Sequence, residues 1–312
     1  MNIFPYSSDN KRYHTLNYYN KNRYGKRVMK AVIDAGFTCP NADGTKGTGG
    51  CIYCRGGSGY FTSRYSDNIY EDVKKQLQAE KERISAKHPD CLITAYFQAN
   101  TNTYAPVDIL ERAYNAALDC KVAAISIGTR ADCLPDEVVE LLKSVAAKTD
   151  LTVELGLQTI HDRTAQLINR CYSYAEFLGG YNKLKAAGIR TCLHIINGLP
   201  RESYDDMLST VKEVGRLSPE AVKIHLLHIN KGTALEKAYL EGKYVPMEKE
   251  DYINIVTDQL LYIPPETVIE RLTGDGDRRY LVAPLWSRDK ISVLGSIDKR
   301  MAQRDSWQGK AL

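Results

Sequence analysis

Short apolar runs alternate with amphipathic stretches along most of this chain. Runs rich in Val, Ile, Leu and aromatics, bounded by polar residues or glycine, occur at 29–37, 92–98, 122–128, 151–157, 189–196 and 221–227. Each has the length and composition of a strand. Between them the spacing predicts helices. Residues 67–87 place Ile69, Val73, Leu77 and Ile84 on one face, with Ser66 or Asp67 as N-cap. Helices over 106–119 and 135–147 open on Pro106 and Pro135, which suit a first turn. Ser173 opens 173–187 and Gly188 stops it; Ser203 opens 203–217; 248–262 precedes the break at Pro264-Pro265. A last helix carries Ile291, Leu294, Ile297 and Met301 on one face.

Strand–helix alternation repeated six times implies a parallel sheet with right-handed crossovers. Pattern alone allows either most of a closed barrel or an open doubly wound sheet. Polar and glycine residues recur just past the strands: Cys39, then Asn100-Thr101-Asn102-Thr103, Thr129-Arg130-Ala131-Asp132, Gln158, and Asn197-Gly198. A shared rim of strand ends is where α/β barrels hold their chemistry, which favours one barrel with one site. The expected organisation is an extension at 1–28, a barrel at 29–270 and a C-terminal extension at 271–312 that packs on it. The run 271–288 reads as irregular.

Composition narrows the class. The chain has 312 residues and eight cysteines without even pairing, which argues for a reducing compartment rather than a disulfide scaffold. There is no apolar leader-like run at the start and none long enough to span a bilayer, so a soluble, cytoplasmic protein is expected. Net charge is +4, yet residues 1–30 hold seven basic side chains against Asp9 alone. Tyr13, Tyr18, Tyr19 and Tyr24 interleave with those cations. Such a mixture can neutralise phosphates and stack on bases, or it can be a solvated segment packing its tyrosines on the barrel wall.

The candidate chemistry lies in AGFTCPNADGTKGTGGCIYCRGGSG, directly after the first strand. Cys39, Cys51 and Cys54 are spaced C-x11-C-x2-C, with no fourth cysteine within reach of the loop. Iron–sulfur clusters usually have four thiolate ligands, so three would leave one iron open. Structural zinc wants four ligands, and Asp43 or His194 would have to complete it. A redox dithiol at Cys51 and Cys54 is the third reading. Spacing alone leaves all three open. Cys91, Cys120, Cys133, Cys171 and Cys192 fall singly and read as buried small hydrophobes. His225 and His228, three apart on a strand, should face opposite sides, while His194, Lys223 and His225 either line the barrel against substrate or pack in the core, the second reading preferred.

The chain resembles radical S-adenosylmethionine (SAM) enzymes, most closely the YhcC/YtqA-type subfamily related to the radical-SAM subunit of Elongator. The resemblance spans KRYHTLNYY at 11–19, the cysteine loop, YFQANTNTYAP at 96–106, SIGTRADCLP at 126–135 and VELGLQT at 153–159. It continues through NR at 169–170, IINGLPRES at 195–203, KIHLLHINKGTAL at 223–235 and RDSWQG at 304–309. It implies a partial (β/α)6 TIM-like barrel. It also implies that Cys39, Cys51 and Cys54 ligate a [4Fe–4S] cluster whose open iron takes SAM, yielding a 5′-deoxyadenosyl radical. Tyr53 matches the position near adenine. Gln98-Ala99-Asn100-Thr101 stands where the family has its glycine-rich SAM turn, without those glycines. Gln158 and Arg170 match a Gln-x11-Arg pair, with the amide on ribose and the guanidinium on the methionyl carboxylate. Glu154, four residues before Gln158, should point the same way.

The same resemblance implies a tRNA substrate. YtqA-type members are associated with converting the 5-carboxymethylaminomethyl group of the wobble uridine towards 5-aminomethyl, which needs the base splayed into the barrel mouth. The basic N-terminus and Lys299, Arg300, Arg304 and Lys310 are the expected contacts, with a flavodoxin- or ferredoxin-like protein as electron donor. The alternatives are a radical SAM enzyme of a small metabolite or peptide, and a non-enzymatic zinc-binding RNA module.

Overall fold

The structure, a computed structural model, describes residues 4–55, 65–98, 100–274 and 276–312. Helix α1 (Leu16–Tyr24) precedes strand β1 (Val28–Ile33). Then follow α2 (Ile69–Ser85), β2 (Leu92–Phe97), α3 (Val107–Asp119), β3 (Ala124–Thr129), α4 (Asp136–Ala146) and β4 (Asp150–Gln158). A short α5 (Asp162–Leu167) leads to α6 (Tyr174–Ala186), β5 (Arg190–Asn197), α7 (Tyr204–Leu217) and β6 (Ala221–Leu226). The chain ends with β7 (Ile229–Asn230), α8 (Ala234–Leu240), α9 (Lys249–Leu260), β8 (Val268–Arg271), β9 (Leu281–Ala283) and α10 (Lys290–Gln303).

Seven strands form one parallel sheet in the order β1-β2-β3-β4-β5-β6-β8, while β7 and β9 make a separate antiparallel ribbon. The six expected strands are present. The seventh, β8, was hidden in a four-residue run, and it closes the barrel further than six units would. Alternation decides which face each side chain takes. Ile33, Ile93, Phe97, Ile125, Ile127, Val153, Leu155, Leu193 and Ile224 point outward and are buried under the helices. Positions between them, including Lys30, Tyr96, Glu154, His194 and Lys223, point into the lumen. The main apolar core is therefore the layer between sheet and helices, and the lumen is polar.

Capping follows local chemistry. Ser173 and Ser203 open α6 and α7 with reciprocal capping boxes to Glu176 and Asp206. Asn68, rather than Ser66 or Asp67, caps α2. Pro106 and Pro135 sit at the N-cap, one residue before the helices they open.

The N-terminal segment lies at the end of the barrel opposite the cysteine loop. Leu16 and Tyr19 of α1 pack on Cys192, Ala221 and Val268. Arg190 lies 4.5 Å over the Tyr19 ring, and Tyr24 Oη donates to Asp150 at 2.8 Å. Asp150 and Arg190 begin β4 and β5, so α1 covers the N-terminal ends of the strands. Gln308 of the RDSWQG motif is buried beneath the barrel. It accepts from the His14 N–H at 2.9 Å and donates to Pro264 O at 2.6 Å and Thr267 O at 2.8 Å. The tyrosines of 1–28 thus pack on the barrel, as the plainer of the two readings held. Arg300 and Arg304 bind Glu250, Asn254 and Asp258 of α9, so their first partners are protein groups. No helix among the described residues is long and apolar enough to cross a membrane.

Candidate active site at the strand C-terminal ends

The cysteine loop leaves β1 and is pinned to the segment after β4. Asn41, fully buried, donates Nδ2 to Asn169 O and lies 3.5 Å from Cys51 Sγ. Asn169 donates back to Gly50 O at 2.8 Å and Thr48 O at 3.1 Å. Ile52 N–H bonds Ile168 O at 3.1 Å. Gly47 is needed for this contact: a Cβ there would fall on Asn41 Oδ1 and lie 2.7 Å from Cys171 Sγ. Cys171, read as an isolated hydrophobe, therefore packs against the loop. Residues 56–59 of the glycine-rich run lie outside the described residues.

All eight cysteines are thiols. Cys51 and Cys54 are neighbours, joined by a 2.9 Å Cys54 N–H to Cys51 O turn, with the Tyr53 side chain against Cys51. Burial, reinforced by Cys54, pushes the Cys51 thiol up to about 11. Cys39 lies within electrostatic reach of Arg130 and Cys133. Among the described residues, no three His, Cys, Asp or Glu side chains are gathered closely enough to share one metal ion. The zinc partners considered are engaged elsewhere: Asp43 accepts from Thr45 N–H at 3.0 Å, and His194 bonds Glu154. Three thiols on one loop over the strand ends suit a multi-iron cluster, whose ligands stand around a larger body than a single ion.

Gln158 ends β4 with φ +64° after a register irregularity at Gly156. Its Oε1 is buried and accepts no hydrogen bond among the described residues. Asn100, at φ +59°, ties its own loop to the cysteine loop by donating to Phe37 O at 2.8 Å. Gln98 half-emerges at the end of β2, and Ala99 lies outside the described residues.

Arg170 is placed differently from the expected carboxylate ligand. It is 1% exposed, and its guanidinium donates to Leu157 O, to Thr159 O at 2.7 Å and to Tyr172 O at 2.9 and 3.1 Å. Carbonyls of the β4 exit loop occupy the donors a carboxylate would need, so the side chain acts as a loop brace. Arg130 extends the brace, donating to Arg170 O at 3.0 Å and bidentately to Asp132 at 3.0 and 2.9 Å. Both guanidinium groups lie over the Tyr172 ring, at 4.4 and 4.7 Å.

Glu154 also departs from the expected ligand contact. It is 1% exposed at the centre of a lumen network. It accepts from Lys30 Nζ at 2.9 Å, Tyr96 Oη at 2.7 Å, His194 Nε2 at 3.0 Å and Lys223 Nζ. Lys30 also binds Glu270 at 2.8 Å. The Lys30 and Lys223 ammonium groups lie 4.6 and 4.8 Å from the centre of the Tyr96 ring. Burial opposes ionisation of Glu154, but Lys223 and Lys30 win and hold its carboxyl well below the usual range. His225 joins this layer, its ring 5.2 Å from that of His194. His225 and His228 do not separate as expected, because β6 ends at Leu226 and the chain turns back. Both rings approach Gly274. A cleft of 1080 Å³ flanks the cysteine loop on its outer side, lined by Phe37, Pro40, Tyr104, Cys133, Leu134 and Glu176 among others. None of the lumen side chains reaches it.

The family description "Radical SAM superfamily" matches residues 44–214, and "Radical_SAM C-terminal domain" matches 219–303. The chain belongs to the radical SAM superfamily. It is 48% identical over 311 residues to YtqA of Bacillus subtilis (strain 168), covering 99% of this chain and 95% of that one. It is 34% identical over 295 residues to YhcC of Escherichia coli (strain K12), covering 93% and 92%. A tRNA uridine(34) acetyltransferase of Methanocaldococcus jannaschii is 26% identical over 165 residues, 52% of this chain and 30% of that protein. Among solved structures, Methanocaldococcus infernus Elp3 superposes with TM-score 0.66 at 16% identity, over 91% of this chain and 64% of that one. This radical SAM protein is thus an enzyme of the YhcC type with a curled, partial-barrel sheet related to that of Elongator. Membership implies a [4Fe–4S] cluster and SAM as cofactors.

Proposed function

We propose that this radical SAM enzyme uses Cys39, Cys51 and Cys54 as cluster ligands and acts on the wobble uridine of tRNA, converting a 5-carboxymethylaminomethyl group towards 5-aminomethyl. When bound, the cluster and SAM supply one-electron cleavage of the sulfonium to a 5′-deoxyadenosyl radical. The observation that carries the cofactor assignment is the buried Gln158 Oε1 at the end of β4, an acceptor with no hydrogen-bond partner among the described residues. It suits a ribose hydroxyl. In this reading Tyr53, which packs against Cys51, would meet adenine, and Gln98 and Asn100 would contact SAM from the end of β2.

The tRNA reading is supported by the Elp3 likeness across 91% of the chain and by relatives named as tRNA uridine(34) acetyltransferases. The polar lumen fits a base carrying an amine better than it fits an apolar substrate. Nucleoside mass spectrometry of tRNA from a deletion strain tests it: the wobble nucleoside should retain its carboxymethyl group, and wild-type complementation should remove it. An unaltered profile would dismiss tRNA and leave the small-molecule or peptide reading.

A further inference from the structure

Most of the lumen network is sealed. Side-chain exposures are 0% for Glu154, 4% for Lys223 and 5% for Glu270, whereas His194 keeps 19% and Lys30 26%. His194 and Lys30 are therefore the members that meet the free space. Lys30 has its ammonium on two carboxylates. His194 has one partner among the described residues, the Glu154 oxygen at Nε2. Glu154 is ionised and can only accept, so it fixes the imidazole as the Nε2–H tautomer. The lone pair then sits on Nδ1, which makes no hydrogen bond among the described residues.

We propose that His194 is a proton acceptor for the substrate bound in the lumen, with Glu154 as its positioning residue. A base needs three things: a free lone pair, a neutral resting state and a partner that steadies the cation it becomes. Each has a source here. Burial and then Lys223 disfavour the imidazolium, so the ring rests neutral, although Glu154 partly opposes this. The groups facing it are Lys30 from β1, Tyr96 from β2, Glu154 from β4, Lys223 and His225 from β6, and Glu270 from β8, with Arg271 of β8 beside His225. Cys192 lies two residues back on β5 itself. Ser126, beside Tyr96 in register, is the uncharged contribution of β3.

The group deprotonated is a protonated amine, an identification that rests on the wobble-uridine reading. In the step, the substrate N–H bond breaks with its electron pair left on nitrogen, and a new N–H bond forms at His194 Nδ1. The imidazolium formed is held by Glu154, and no electron changes owner. Lys30 and Lys223 disfavour a further cation wherever it sits, but of the imidazole and the substrate amine only the imidazole is bonded to Glu154. That asymmetry sends the proton to His194. The amine left neutral has a lone pair able to stabilise a radical on its neighbouring carbon, which an ammonium lacks.

Two measurements test this on the full chain. The first is ¹⁵N-histidine NMR of the wild type, with His194→Asn used to identify the signal. A neutral Nε2–H ring at pH 7 is expected; an imidazolium or an Nδ1–H tautomer at that pH overturns the inference whatever the substrate. The second follows product formation against pH with reconstituted enzyme and tRNA from the deletion strain. His194→Asn and His194→Gln should each lose roughly 100-fold or more, with partial rescue by added imidazole, and the residual rate should lack the wild-type fall at acid pH. Wild-type rate and pH profile in both variants would overturn the base and leave the tRNA reading intact. If the wild type leaves tRNA unmodified, the tRNA reading fails and the NMR tautomer alone decides the base.

Discussion

Lys30 on the first strand of the sheet lies 2.8 Å from Glu270 on the last. Six strand spacings of about 4.8 Å would hold them about 29 Å apart in a flat sheet. Their contact is the measure of how far the sheet curls, and it completes the charged layer around Glu154. Breaking one member of such a layer leaves a buried charge without its partner. Lys30→Met should therefore destabilise the fold by about 3 kcal/mol, and the double variant Lys30→Met/Glu270→Gln by less. Urea unfolding of the three proteins at pH 7 checks this, and equal midpoints would refute it.

The same layer sets an acid limit. Burial works against ionising Glu154 and Glu270, but Lys223 and Lys30 hold both carboxyls below the usual range. A depressed folded-state value contributes stability above the unfolded value, about 4.3, and that stability is lost as pH falls through the folded value. Stability should fall steadily from about pH 4 downward. Glu270→Gln should flatten that slope, as followed by thermal melts across the acid range.

Two adjacent glycines on α6 should respond oppositely to alanine. Gly179 is exposed, and a Cβ there meets nothing within 4 Å, whereas one on Gly180 would fall on the Ala131 carbonyl oxygen. Gly179→Ala should stabilise by about 0.8 kcal/mol through helix propensity. Gly180→Ala should destabilise and push the 130–135 loop outward. A lower melting temperature for Gly179→Ala would contradict the packing described.

Arg170 and Gln158 should separate stability from ligand affinity. Arg170→Ala strands the carbonyls of Leu157, Thr159 and Tyr172, which should cost about 3 kcal/mol. Gln158→Ala removes an atom with no partner among the described residues and should leave the melting temperature within about 1 °C while weakening SAM binding. Equilibrium dialysis with SAM beside calorimetry distinguishes them. A normal melt with lost SAM affinity in Arg170→Ala would restore its role as carboxylate ligand.

Anaerobic purification tests the three thiols together. The wild type should be brown with about four irons per chain, and Cys39→Ala, Cys51→Ala and Cys54→Ala should each lose most of them. Zinc in place of iron, or retention of iron by any one variant, would count against the assigned ligand set.

Much of the barrel was legible because period-2 and period-3.6 patterns report, within a few residues, which face of an element is buried. Val153-Glu154-Leu155 already contains the alternation that sends Glu154 inward, and Ser173 and Ser203 announce their helices by local hydrogen bonding. The C-x11-C-x2-C loop was visible in the same way. Strand β8 was not, since Val268–Arg271 is too short to show a period.

What the amino-acid order determined by itself is therefore the six longer strands and the main helices between them, their buried faces and the loop of three thiols; the short elements α1, α5, α8, β7, β8 and β9 carried too little pattern to show. Tertiary structure alone decided that Arg170 braces a loop, that α1 packs at the far end of the barrel from the cysteine loop and that Lys30, alone among the cations of 1–30, enters the lumen. It alone joined Lys30 to Glu270, 240 residues apart, around one carboxylate and one imidazole. The physical reason is range: burial and backbone hydrogen bonding leave a periodic trace along the chain. Charge pairing across a curled sheet leaves none until the first and last strands meet.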